Sequence, residues 1–370
     1  MGKPELVARA RPGDVAVAVP FCLMALVVGA DLLAGPQIGL LPLLSLGPAL
    51  APVSLGPART VLTGGLAIVL SVLVASFDGI GLSLRAVVAV TTIVGVTAAG
   101  VLASAARQRG ERELVNVRAV ADVAQRVLLR QVPRRVGQIR IAMRYISAAA
   151  AARIGGDLYD VVAVAGTARL IVADVQGKGL AAVQTAAVVL ASFRESAYDA
   201  LDLAGIAEHI ELSLGHQAPE GKFVTAIMAE IDLGSTEIRL LSCGHPAPLL
   251  VSGGLARLAE PLEAALPLGL GGLAAGDPKE YTVPFGPDDR MLFYTDGISE
   301  ARDKSGAFYP LDQCGALLGG PDPDAALGRL YDDVLGHVGG RLHDDSAALF
   351  VMHPPPRPRQ GNPSTTSASQ

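Results

Sequence analysis

The sequence predicts an α+β domain, a largely antiparallel sandwich with helices packed outside, preceded by a transmembrane helical region. Two observations predict the sandwich: from residue 139 to about 352 short β-rich runs alternate with helical pairs, and Gly-containing turns separate those runs. A third predicts the membrane region. The N-terminal part carries long uncharged runs, and the 370-residue chain is 51% hydrophobic, 18% charged and free of Trp, with a mean hydropathy of +0.43.

In chain order, the uncharged runs cover residues 15–30, 32–58, 60–77 and 86–106, each near the ~20 residues a spanning helix needs. They predict about four helices within 15–106. The second run is the most irregular, because it contains Pro36, Pro42, Pro48, Pro52 and Pro57. A cleaved signal peptide is the rival reading of the first run, and the three further runs argue against it. Lys3, Arg9 and Arg11 precede the first run, and ten arginines against three acids occupy 107–144, so both flanks are expected on the cytoplasmic side of the cell membrane. The expected protein is multi-pass, with residues 1–14 and everything after 106 cytoplasmic.

Residues 107–135 read as a juxtamembrane linker helix ended by Pro133, with Leu114, Val117, Ala121, Ala124 and Leu128 at heptad-like spacing. Two readings stay open for it: a seam for a homodimer, or a face that packs on the next domain. Its arginines also suit contact with anionic membrane lipid. No basic patch interleaved with aromatics occurs, so nucleic acid is not an expected partner. Cys22, Cys243 and Cys314 are too scattered for a disulfide framework or a zinc site and read as buried, reduced thiols.

The next domain is expected over 136–353. Strands are predicted at 139–146, 158–164, 170–173, 223–231, 237–242, 248–251, 281–283, 291–294 and 346–351, and helices at 179–198, 203–214, 311–318 and 324–337. The tail, residues 354–370, lacks core-forming residues and is expected to be disordered.

The chemistry concentrates in residues 155–182, GGDLYDVVAVAGTARLIVADVQGKGLAA. A Gly-containing turn joins two β-rich runs, and an antiparallel hairpin lets Asp157, at the start of one, converge with Asp174, at the end of the other. Two more acidic sites repeat the placement: LFYTDG puts Asp296 just after a strand, and HDDSAALFV puts Asp344 and Asp345 just before one. Carboxylates and backbone carbonyls at one sheet edge are what hard divalent cations prefer.

These stretches, GGDLYD, VADVQGKGLAA, FVTAIMAEID, LSCGHPAPLLV, LPLGL, LFYTDGISEARD and DDSAALFV, occur in the order in which they occur in the metal-dependent protein serine/threonine phosphatases. The chain resembles that PPM family, specifically its bacterial sporulation stage II protein E-like branch. The resemblance covers 139–352. It implies an αββα sandwich, two largely antiparallel sheets flanked by helix pairs, and a centre of two Mn²⁺ or Mg²⁺ ions. By position it implies that Asp174 bridges the metals, the Val175 carbonyl binds one, Asp296 and Asp344 complete the set, and Asp157 acts through a water. Asp344 fits the ligand motif better than Asp345, and the choice between them stays open. It further implies hydrolysis of phosphoserine or phosphothreonine on a regulatory protein, by analogy an anti-sigma-factor antagonist of the STAS type.

The chain departs from many relatives in carrying Gln176 where they place a His, a proposed general acid. His245 is then a candidate for that task or a hydrogen-bonded turn residue. Lys178 and Arg153 are candidates for meeting substrate phosphate, and for Arg153 a surface role is equally compatible. A nucleotide P-loop is excluded because Lys178 is followed by Gly179, and a cyclase reading of GGD leaves the later acids unexplained. The alternative from another class is a catalytically weak, phosphatase-like scaffold that binds a signalling partner.

Overall fold

The computed structural model describes residues 12–34, 40–77, 83–146, 156–217, 221–271 and 277–355. The chain divides into two units, residues 1–116 and 117–370. The expected disordered tail lies outside the described residues from 356 onward.

In the first unit the apolar runs form α1 (Pro12–Ala34), α2 (Leu46–Ser54), α3 (Pro57–Phe77) and the beginning of α4 (Leu84–Leu128), with a 3₁₀ turn at Leu41–Ser45. Among the described residues three stretches, Val17–Ala34, Pro57–Phe77 and Leu84–Glu113, are long and apolar enough to cross a membrane. About four were expected, and the second run gives none of that length among the described residues. The second run instead gives the short apolar stretch Leu41–Ser54, which at 1.5 Å per residue reaches about 20 Å of the ~30 Å a hydrocarbon core requires. Its prolines are the reason: Pro42 sits in the 3₁₀ turn, Pro52 lies inside α2, and Pro57 opens the next helix. Asp31, which divides the first two runs in the sequence, is buried within α1 and accepts a hydrogen bond from the Leu40 N–H at 2.8 Å. Met24, Leu44, Ala67 and Ile93 pack inward, whereas Leu26, Leu33, Leu62 and Leu102 remain exposed. Cys22 is exposed, contrary to expectation, while Cys243 and Cys314 are buried, and all three are free thiols.

Helix α4 continues through the expected boundary at residue 107 and stops at Leu128, several residues before Pro133. Its last turns belong to the second unit. Ala124 and Leu128 pack against Val183, and Leu128 and Leu129 extend the core there. The Leu128 carbonyl accepts from Arg194 at 2.8 Å, and Arg194 also pairs with Asp160. Gln125 donates to the Tyr145 hydroxyl at 3.2 Å. For Ala124 and Leu128 these contacts are those of a helix packed on the next domain.

The second unit continues with β1 (Arg135–Val136), β2 (Ile139–Ile146), β3 (Asp157–Val164), β4 (Thr167–Val175), α5 (Leu180–Asp199), α6 (Leu203–Gln217), β5 (Val224–Asp232), β6 (Glu237–Cys243) and β7 (Leu249–Ser252). After these come β8 (Leu255–Leu258), β9 (Glu280–Pro284), β10 (Arg290–Tyr294), α7 (Asp296–Ser299), a 3₁₀ turn at Leu311–Ala316, α8 (Pro323–His337) and β11 (Ser346–Met352). The strands form two antiparallel sheets, ordered β1-β2-β11-β10-β7-β8 and β3-β4-β5-β6-β9. Helices α5 and α6 cover the five-stranded sheet; α8 and the 3₁₀ turn cover the other. The architecture is the expected αββα sandwich. The sequence reading lacked β1 and β8, and residues 311–316 form a 3₁₀ turn rather than an α-helix.

Side-chain alternation decides which residues lie between the sheets. Val161 on β3, Ala168, Leu170 and Val172 on β4, Ile227, Ala229 and Ile231 on β5, Met291 and Phe293 on β10, and Leu349 and Val351 on β11 form one inter-sheet core. Leu158, Ile171, Ala173 and Val175, of opposite parity, pack under α5 and α6. Because Leu128 and Leu129 contribute to that second core, a version of the protein beginning at residue 131 should melt roughly 5–10 °C below one beginning at 117. The estimate follows from about 2–3 kcal/mol of lost apolar burial and hydrogen bonding, readable by calorimetry.

Candidate active site

Followed to one end of the sandwich, the inter-sheet rows change character together. Two residues past Val172 stands Asp174, two before Tyr159 stands Asp157, two before Ile227 stands Thr225, two past Phe293 stands Thr295, and two before Ala347 stands Asp345. Asp157 and Asp174 are directly opposed across β3 and β4, so their side chains leave the same face. Asp296 follows Thr295 as the first residue of α7, and Asp344 precedes Asp345. All five acids border one cavity of about 430 Å³, together with Gly156, Val175, Gln176, Lys178, Thr225, His245 and Glu300.

Local backbone features keep the cavity open. A Cβ on Gly156 would collide with the Val175 carbonyl oxygen and lie 2.6 Å from Asp174 Oδ1, so only Gly leaves both oxygens accessible. Gly179, which caps α5, has φ of +84°, a conformation that turns the chain from β4 into the helix.

The acids differ in setting. Asp157 is buried and accepts a 2.7 Å hydrogen bond at Oδ2 from Thr295 Oγ1. That hydroxyl also accepts from the Ala347 N–H at 2.9 Å, so Thr295 ties β10, β11 and Asp157 together. Sequence reasoning missed Thr295, whose signal was its position directly before Asp296 at the end of the β10 row. Burial, and then the charge of Asp174, hold the Asp157 carboxyl well above the usual range. Burial, and then Asp296, push Asp174 up to about 7, and burial with Asp344 raises Asp296. Asp345 is buried, whereas Asp344 is half exposed and pairs at 2.6 Å with Lys178 Nζ.

His245 is committed elsewhere. Its Nε2 lies 3.0 Å from the Tyr294 carbonyl, which can only accept, so Nε2 carries the proton and Nδ1 accepts from Thr225 Oγ1 at 3.0 Å. Burial lowers its pKa to about 4, which keeps the ring neutral as a strut between the sheets. Cys243 is buried in the core under α5 and α6, and burial pushes its thiol up to about 12, which does not suit a nucleophile. Arg153 lies outside the described residues.

The residues fit hard divalent cations. Among the described residues no three acidic, His or Cys side chains close around one point as they stand. Yet the donors are all oxygens, the cavity collects acids whose pKa values burial and then mutual repulsion raise, and an ammonium already stands on Asp344 as a cation would.

Fold and site together define a phosphatase-type domain of the PP2C class. The stage II sporulation protein E (SpoIIE) family model matches residues 165–354, and the chain belongs to that family. The matched segment contains every candidate acid except Asp157. Among solved structures, the RsbU and RsbW domains of Rv1364c from Mycobacterium tuberculosis are 26% identical over 62% of this chain and 65% of theirs, with a TM-score of 0.52. The SiaA-PP2C domain of Pseudomonas aeruginosa shares the fold at 16% identity, 67% and 98% coverage and a TM-score of 0.53. The PP2C phosphatase domain of SpoIIE from Bacillus subtilis, with a fragment of its regulatory domain, does so at 16% identity, 58% and 63% coverage and a TM-score of 0.51. The chain thus spans just under two thirds of the Rv1364c and SpoIIE chains.

The acid cluster has a consequence for stability. Asp174 ionises near 3.8 when unfolded and near 7 in the metal-free fold, so its contribution is fully present below about pH 4 and is lost as pH rises through about 7. In metal-free protein at pH 8, Asp174→Asn should raise the melting temperature by roughly 3–10 °C, with little change at pH 4. Calorimetry of both proteins in chelator checks this.

Proposed function

We propose that this protein is a membrane-anchored, metal-dependent phosphatase that hydrolyses phosphoserine or phosphothreonine on a regulatory protein. The observation that carries the reading is the convergence of six carboxylates, five Asp and Glu300, and of Val175 on one cavity at the end of a PP2C-type sandwich. Asp157, Asp174, Val175, Asp296 and Asp344 would hold two ions, Mn²⁺ or Mg²⁺, with Asp345 buried beside Asp344 as the less accessible alternative. When bound, such ions acidify a water and neutralise charge that develops on the phosphoryl oxygens. The chain's own groups fix the geometry: Thr295 orients Asp157, and the Gly156 gap exposes Val175 O and Asp174 Oδ1. His245, neutral and bonded through both nitrogens, is a positioning residue, and Gln176 has no proton to give.

Substrate and setting rest on kinship. The 26% identical relative carries RsbU and RsbW domains, which favours a phosphorylated anti-sigma-factor antagonist of the STAS type as substrate. The three apolar helices support anchoring in the cell membrane, and the ten arginines after them support a cytoplasmic catalytic unit; three crossings then put the N-terminus on the opposite face, not on the cytoplasmic side expected from Lys3, Arg9 and Arg11. Val120, Val123 and Val127 stay exposed along α4 at three- and four-residue spacing, which favours a homodimer seam on that face.

Purified full-length protein in detergent should release phosphate from p-nitrophenyl phosphate and from a phosphoserine protein with Mn²⁺. EDTA or Asp174→Asn should reduce the rate at least a hundredfold. A folded, Mn²⁺-binding protein without turnover on either substrate would favour the scaffold reading instead. In cells, deletion should cause a phosphorylated antagonist protein to accumulate in a quantitative phosphoproteome; an unchanged antagonist pool would remove that substrate from consideration.

A further inference from the structure

Among the described residues bordering the catalytic cavity, Lys178 is the one Lys or Arg. Its Nζ lies 2.6 Å from Asp344 Oδ1, and its charge also reaches Asp174 and Asp296. Both partners are partly exposed, 37% for Lys178 and 52% for Asp344, so the pair is solvent-screened and readily exchanged. The chain two residues before it is tied to the neighbouring strand end. The Gln176 N–H donates to the Phe223 carbonyl at 3.0 Å, and the Gln176 carbonyl accepts from Lys222 Nζ at 3.1 Å. Lys178 then stands between Gly177 and Gly179, both at positive φ. A partly exposed cation at the cavity edge therefore sits on a carboxylate that a divalent ion would need.

We propose that Lys178 is an exchangeable counter-ion of the catalytic centre, one that neutralises Asp344 until a divalent cation takes that carboxylate and then receives the phosphate group of the substrate. The inference rests on the phosphatase reading above. The exchange follows from charge. Asp344 Oδ1 binds an ammonium weakly at this exposure, a divalent cation binds an acid cluster far more strongly, and like charges then separate. The displaced ammonium keeps its root at the cavity edge, where a phosphate dianion is its natural partner.

The test measures two affinities in the full-length protein in detergent: Mn²⁺ by isothermal titration, and inorganic phosphate as an inhibitor of the Mn²⁺-saturated enzyme. Lys178→Gln should bind Mn²⁺ about three- to tenfold more tightly and phosphate several-fold more weakly, because it removes a competing charge from one ligand and a partner from the other. Lys178→Arg, which keeps the charge, should resemble wild type in both. A folding defect would weaken both affinities, so the opposite signs identify the role. Unchanged or weaker Mn²⁺ binding by Lys178→Gln, with wild type binding Mn²⁺ and active, overturns this inference alone. Absence of Mn²⁺ binding by wild type overturns it together with the phosphatase reading.

Discussion

The structure depends on the two-residue alternation of its strands. Burying Leu170, Val172, Ile227, Phe293 and Leu349 between the sheets fixes the register of β4, β5, β10 and β11. Once those rows are fixed, Asp174, Thr225, Thr295 and Asp345 have no freedom about where they stand. A slip of one residue would turn Asp174 toward α5 and Ala173 toward the cavity, at the expense of every apolar residue in the row. The hydrophobic core thus positions the acids, although it makes no contact with any ligand.

The same constraint creates the site's electrostatic tension. Register pairs Asp157 with Asp174 whether or not a cation is present, and burial removes the water that would screen them. Three internal contacts relieve part of it. Thr295 donates to Asp157, Lys178 pairs with Asp344, and Asp344 Oδ1 also accepts the Asp345 N–H at 2.8 Å. Away from the cavity, a buried acid on β5 is paired on two sides: Glu230 meets both Arg169 and Arg239, and Arg169 also donates to the Ala197 and Ala200 carbonyls. The contrast marks the acid end as the place where this fold retains unbalanced charge.

What the sequence disclosed follows from the range of the forces involved. Strand periodicity and turns are local, so the hairpin, the acids at strand ends and most element boundaries were readable, including Asp157 opposite Asp174. Thr295 was not, because its importance comes from Asp157, far away in sequence, and from the Ala347 N–H on a third strand. Strands β1 and β8 are too short or too exposed to carry a pattern. The second apolar run looked like a span by composition, yet its prolines break it into the short stretch Leu41–Ser54. The heptad-like spacing in α4 was visible, but that Ala124 and Leu128 meet Val183 was not, since the partner lies in a helix beyond four strands.

Where the resemblance places a histidine in many relatives this chain carries Gln176, and His245 does not take its place. A second histidine inside the cavity could replace it only if one nitrogen were free and the ring could charge near neutral pH. His245 meets neither condition: Thr225 occupies Nδ1, the Tyr294 carbonyl fixes the proton on Nε2, and burial lowers the pKa to about 4. Its hydrogen bonds join β5 to the end of β10, the two strands that carry Thr225 and Thr295. Protonating or turning the ring would loosen the connection that aligns Thr295, and through it Asp157. In this chain the imidazole serves alignment.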